Sequence, residues 1–168
     1  MFSTDEIRER LVSVLDPSPH IELPAATSPA AVLVPVLVGA AEPRMVFTKR
    51  TDTLSRHAGE ISFPGGLADP GEDLAAAALR EAEEELGLAP ADVELLGALP
   101  AVHTRVTSVL IAPFVGLLRT DPRFTPNAAE IADVLVFRLA DLVAVEEERE
   151  FEHEGVGFRL MSTSWTAT

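Results

Sequence analysis

Three glutamates crowd one short stretch of this chain. Glu81, Glu84 and Glu85 lie in Arg80-Glu81-Ala82-Glu83-Glu84-Glu85-Leu86-Gly87-Leu88. On a helix, residues three and four apart share a face, so these carboxylates can be directed at one point. Like charges at that spacing destabilise a bare helix. The pattern makes chemical sense if a divalent cation sits among them, and carboxylate oxygens suit Mg²⁺ or Mn²⁺. A merely solvated acidic face would need only the charges. It would not need Arg80, Glu72 and the glycines at fixed spacing as well.

Those side chains need a loop and a helix to hold them. Gly65, Gly66, Pro70 and Gly71 fit no regular element and predict the loop. From Asp73 to Leu86 there is no Gly, Pro or β-branched residue, and Leu74 to Leu79 are all Ala or Leu. A helix is expected there, with the acids Glu72 and Asp73 in its first turn and Gly87 as its C-terminal cap. Ala75, Ala78, Leu79, Ala82 and Leu86 share its apolar side, beside the acidic one.

Gly66, Glu72 and the run from Arg80 to Leu88 together resemble the signature of the Nudix hydrolases, with every charged and glycine position filled and only Ala82 smaller than usual. The stretch before it is similar to the extra signature of the coenzyme A pyrophosphatase branch: Thr48, Arg50, Thr51, His57, Gly59 and Phe63-Pro64-Gly65-Gly66. One departure is clear. Ser55 stands where the branch places an arginine, and Arg56 is next door. Thr104, Thr107 and Pro126-Asn127-Ala128-Ala129-Glu130-Ile131 also look like this branch.

The resemblance runs from about Val32 to Ala167. It implies a single domain over residues 1–168: an N-terminal helix and loop (1–30), then a Nudix α/β/α sandwich around a mixed β-sheet, with the loop and helix at 59–88. The branch's closing helix has no counterpart after Trp165-Thr166-Ala167-Thr168.

Composition sets outer limits. The chain has 168 residues, 47% of them apolar, enough for one domain with a sizeable core. A net charge of −14 leaves no basic stripe for nucleic acid or anionic membranes. Without cysteine there are no disulfides and no thiolate metal sites. The longest apolar run, Ala30 to Val38, is broken by Pro35 and too short to span a bilayer. A soluble cytoplasmic protein is expected, with its oligomeric state, a homodimer included, left open.

The remaining elements follow in order. Ser3 and Glu6 read as a capping box, with Ile7, Leu11 and Leu15 on one helical face and Pro17 ending the helix near Asp16. Ala30 to Val38 and Arg44 to Lys49 predict a hairpin, Pro35 suggesting an edge strand or a bulge. Strands are expected over Val93 to Leu99, over Ser108 to Leu118 with a break at Pro113, and over Ile131 to Phe137. Leu139 to Val143 reads as a short helix, Glu146 to Glu154 as an acidic turn, and Gly155 to Met161 as a last strand.

The resemblance implies metal-dependent hydrolysis of the diphosphate of coenzyme A or an acyl-coenzyme A, giving adenosine 3′,5′-bisphosphate and a 4′-phosphopantetheine product. Glu81, Glu84 and Glu85 would hold Mg²⁺ or Mn²⁺. Glu84 and Glu130 are both candidates for the general base, and Arg80 would hold the carboxylates in place by pairing with Glu72 or Glu81. Arg50, Thr51, Arg56, Phe63, Gly65 and Gly66 form the expected substrate-binding set, since forked guanidinium donors suit phosphate oxygens. Phe63 either packs under the loop or stacks on a base. Other nucleoside diphosphate derivatives (ADP-ribose, a nucleotide sugar, a dinucleotide) are the alternative substrates, and a non-catalytic nucleotide-binding module is a further one.

Overall fold

The structure is a computed structural model that describes residues 3–22, 27–39, 42–52, 58–103, 109–143, 149–153 and 156–160. The chain begins with helix α1 (Thr4–Val12), whose capping box forms as expected: Glu6 N–H donates to Ser3 Oγ, and Ser3 N–H donates to the Glu6 carboxylate. The helix stops earlier than Pro17 would require. Asp16 leaves it to exchange backbone hydrogen bonds with Ala98, which draws the chain out of helical geometry.

Two strands dominate the sheet, β1 (Ser28–Leu37) and, later in the chain, β7 (Val109–Leu118). They run parallel through ten residue pairs, from Ser28 opposite Val109 to Leu37 opposite Leu118. A parallel pair needs a long crossover, and helix α2 (Leu74–Leu86) lies within it. Strands β2 (Arg44–Arg50), β3 (Ile61–Ser62), β4 (Gly65–Leu67), β5 (Glu94–Ala98), β6 (Val102–His103) and β8 (Ile131–Arg138) pair antiparallel around them. Among the described residues these eight strands form one mixed sheet. After β8 come a short helix, α3 (Leu139–Val143), and a separate hairpin of β9 (Arg149–His153) and β10 (Val156–Leu160).

A helix covers each face of the sheet. On one side Ala77, Ala78, Ala82 and Leu86 of α2 pack on Ala31, Leu33, Leu37, Ala112, Phe114 and Leu118. On the other, Ile7 and Leu11 of α1 pack on Val34, Val36, Val38, Leu96, Val115 and Leu117. Alternate residues of β1 and β7 therefore face opposite cores, which is why both read as unbroken apolar runs. This is the expected α/β/α sandwich.

Three readings of the strands need correction. Pro35 lies in the centre of the sheet, neither on an edge nor at a bulge. Leu33 N–H points to Pro64 O, so position 35 points the same way, into the interval between the pairings of β1 with β4 and with β2. A missing N–H costs little there. Pro113 does not interrupt β7; it pairs in register opposite Val32. The acidic run supplies strand β9, in register with β10, where a solvated turn was expected.

Candidate active site

Helix α2 is fixed at both ends by its own sequence. Asp73 is its N-cap and accepts from Ala76 N–H at 3.0 Å, so the expected pair of first-turn acids is really one cap and one residue before the helix. At the other end Gly87 takes the left-handed conformation, φ 66°, which glycine adopts without strain. The last carbonyls of the helix are satisfied by the loop before β8. Thr125 N–H donates to Leu86 O at 2.8 Å, and Asn127 N–H to Glu85 O at 2.9 Å. That loop leads straight to Glu130, so the end of α2 and Glu130 are tied together by backbone.

Glu85 lies on the buried stripe of α2, not on an acidic side next to it, and is only 4% exposed. One carboxylate oxygen accepts from Gly65 N–H at 3.2 Å, and the other stands 3.4 Å from Arg50 Nη1. Burial pushes this carboxyl up to about 7 against the pull of Gly65 and Arg50, and the charges of Glu81 and Glu130 push it the same way. Glu81 lies against the glycine loop: a Cβ at Gly66 would stand 2.6 Å from its Cδ, so a side chain there would push the Glu81 carboxylate aside.

Arg80 organises the outer half of the site. Its Nε and Nη2 grip the two oxygens of Glu72 at 2.8 and 3.0 Å. Its Nη1 reaches Glu81 at 2.8 Å and Glu84 at 3.3 Å, and Nη2 also reaches Leu67 O. The sequence left Arg80 to choose between Glu72 and Glu81, and it takes both. The guanidinium, with help from Asp69 N–H, holds the Glu72 carboxyl down at about 2. Glu84 is the most exposed of the three helix carboxylates.

The three glutamates do not meet at one point, as their spacing had suggested. Arg80 draws Glu81 and Glu84 one way, while Gly65 and Arg50 draw Glu85 another. Among the described residues no three His, Asp or Glu side chains stand gathered at ligand spacing.

Arg50 enters from the opposite wall. It ends β2 where the register with β8 shifts between Lys49 and Arg50. Its Nη2 stands 4.0 Å from Glu130 Oε2, so one guanidinium faces two carboxylates. Its buried Nε finds no partner among the described residues. Thr51 is held to the same loop, its N–H donating to Glu130 O at 2.8 Å.

Phe63 stacks on Phe47, centroids 4.6 Å apart, on the face away from α2, and packs against the α1-side core. Arg56 and His57, and with them Ser55, lie outside the described residues, as do Thr104, Thr107 and the C-terminal stretch from Met161. Sequence reasoning gave no role to Asn127. An Asn three residues before a candidate carboxylate, at the start of a strand, was the available signal.

A family model described as NUDIX domain matches residues 27–157. The chain belongs to the Nudix family. It is 44% identical over 113 residues to a protein of Cronobacter sakazakii described as an uncharacterized Nudix hydrolase NudL, covering 67% of this chain and 58% of that relative. The protein of the same description from Pectobacterium atrosepticum is 36% identical over 133 residues, covering 75% of this chain and 68% of that one. The chain thus spans little more than half the length of the first of these relatives.

Among solved structures it is similar to a C. elegans Ap4A hydrolase binary complex, with TM-score 0.58, 20% identity, and coverage of 71% of this chain and 85% of that one. It is also similar to the Nudix domain of Shewanella oneidensis NrtR complexed with ADP ribose, with TM-score 0.55, 19% identity, and coverage of 80% and 85%. At such identity the likeness is one of fold.

Nudix hydrolases generally use divalent metals such as Mg²⁺ or Mn²⁺. By donor chemistry, though not by the spacing of Glu81, Glu84 and Glu85 in this structure, the site suits a hard cation. The donors are all carboxylate oxygens. Moreover, burial and then the charges of Glu81 and Glu130 oppose the ionisation of Glu85, so positive charge beside it would stabilise its ionised form.

Proposed function

We propose that this Nudix protein hydrolyses the diphosphate bond of coenzyme A or an acyl-coenzyme A, releasing adenosine 3′,5′-bisphosphate and a 4′-phosphopantetheine product. The observation that carries this reading is the placement of Arg50. The stretch that resembles the coenzyme A branch delivers a guanidinium directly to the carboxylates of the Nudix helix and of Glu130. A forked cation in that place suits a phosphate held beside those carboxylates.

Glu81, Glu84 and Glu85 are the residues that would hold the metal. When bound, Mg²⁺ or Mn²⁺ supplies charge neutralisation and polarisation of the phosphoryl oxygens. The chain's own groups do the rest. Arg50 pairs with a phosphate and orients it. Gly65 and Gly66 bring backbone against the helix carboxylates. Arg80 is a positioning residue, spending its donors on Glu72, Glu81 and Glu84. Glu84 or Glu130 accepts the proton of the attacking water as its oxygen bonds to phosphorus and the anhydride P–O bond breaks. Catalysis is then mostly positioning and charge stabilisation.

Incubation with coenzyme A and with ADP-ribose in parallel, with Mg²⁺ or Mn²⁺ and with chelator, tests this. Metal-dependent release of adenosine 3′,5′-bisphosphate from coenzyme A alone is the expected result. The Ser55-Arg56 departure favours a second reading, another nucleoside diphosphate derivative as substrate. Cleavage of ADP-ribose with coenzyme A untouched would establish it in place of the first.

A further inference from the structure

Asn127 makes five hydrogen bonds where α2 meets β8. Its backbone N–H donates to Glu85 O at 2.9 Å, and its carbonyl accepts from Glu130 N–H at 2.9 Å and Ile131 N–H at 2.8 Å. Its side chain adds two. Oδ1 accepts from Ala129 N–H at 3.2 Å, and Nδ2 donates to Glu130 Oε1 at 3.3 Å. The amide orientation is unambiguous, because Ala129 N–H can only donate and a carboxylate oxygen accepts. Glu130 is thus held by both oxygens, Oε1 at Asn127 and Oε2 facing Arg50.

We infer that Asn127 is the positioning residue for Glu130, aiming that carboxylate at Arg50 and the end of the Nudix helix. The inference rests on the reading of Glu130 as a working carboxylate of a diphosphate hydrolase. An amide suits this task. It fixes a carboxylate through a neutral donor and leaves the charge in place, whereas a Lys or Arg there would compete with substrate phosphate. Its backbone bonds do not depend on the side chain, so the donor can be removed while the loop keeps its attachment to α2.

Asn127→Asp and Asn127→Ala, each in the wild-type and Glu130→Ala backgrounds, test the inference. Asp keeps the acceptor for Ala129 N–H and replaces the donor to Glu130 with a second carboxylate, whereas Ala removes the donor without adding charge. Both substitutions should lower kcat on coenzyme A or ADP-ribose by about tenfold to a hundredfold, with KM within about threefold, and neither should slow the Glu130→Ala enzyme further. Wild-type turnover in Asn127→Asp would reduce Asn127 to a turn residue and overturn the inference. An equal loss in both backgrounds would overturn it too. If the wild-type protein cleaves neither substrate, the functional reading fails on its own. Positioning is then read from crystal structures of wild type and Asn127→Ala: a Glu130 carboxylate turned away from Arg50 in the variant supports it, and an unmoved one refutes it.

Discussion

Glu85 shows how much one buried carboxyl decides. Its pKa in the fold is about 7, against about 4.5 in the open chain. The metal-free fold therefore binds the proton more tightly than the unfolded chain, and stability falls as pH rises between those values. Above pH 7 the penalty is fully present. Glu85→Gln removes the ionisable group and keeps an acceptor for Gly65 N–H. In chelator at pH 8 the variant should be more stable than wild type by about 1–3 kcal/mol, the gain vanishing near pH 4.5. Denaturant unfolding at the two pH values checks this, and a less stable variant at pH 8 would show that Arg50 outweighs burial. With metal and substrate the same variant should lose about a hundredfold or more in turnover, since a neutral amide binds a divalent cation poorly. Arg50 has the complementary role at this scale. Lys in its place offers a point charge that cannot face Glu85, Glu130 and a phosphate together, so Arg50→Lys should raise KM more than it lowers kcat.

Between elements, the C-terminus of α2 is the joint on which the site depends. Gly87 turns the chain in the left-handed conformation, and a Cβ there would run into Thr125, whose N–H caps Leu86. Gly87→Ala thus strains the turn and pushes the loop that carries Asn127 and Glu130. A loss of about 1–2 kcal/mol from the backbone alone is expected, with turnover falling further than stability does. Thermal unfolding measured beside activity separates the two effects. Much of this joint was legible in sequence, because local rules govern it. Asp73 and Gly87 are end signals, and the Ala-rich run between them has one preferred state. The proline readings failed because the cost of Pro35 depends on which strand edge its missing N–H faces, which only tertiary pairing decides. The burial of Glu85 and the aim of Arg50 were hidden for the same reason. One follows from how α2 lies on Ala31 and Ala112, and the other depends on tertiary pairing at the end of β2, where the register with β8 shifts.

At the scale of the whole molecule the chain carries 27 acidic and 13 basic residues, so at neutral pH it repels itself. Its ion pairs are placed to limit that. Arg8 and Arg119 converge on Glu94 and tie α1 to the edge of the sheet, and Arg80 locks Glu72 to α2. The two kinds of carboxyl pull stability in opposite directions with pH. Glu85, raised by burial, makes the fold stronger as pH falls from 7 toward 4.5. Glu72, held at about 2 by Arg80, and Glu94, lowered mainly by Arg8, contribute stability that is present above the ordinary carboxyl range and lost as pH falls through it. Their sum is a maximum on the acid side of neutrality. The metal-free protein should unfold at its highest temperature near pH 5, and lower at both pH 8 and pH 3. Added salt should raise the unfolding temperature at pH 8, where repulsion among the acids dominates. It should do little at pH 5, because the chain is then close to neutral and exposed pairs such as Arg8–Glu94 contribute little. A transition that climbs steadily from pH 5 to pH 8 in chelator would mean that neither the buried Glu85 nor the net charge governs this fold. Stability would then have to come from pairs that strengthen as the remaining carboxyls ionise.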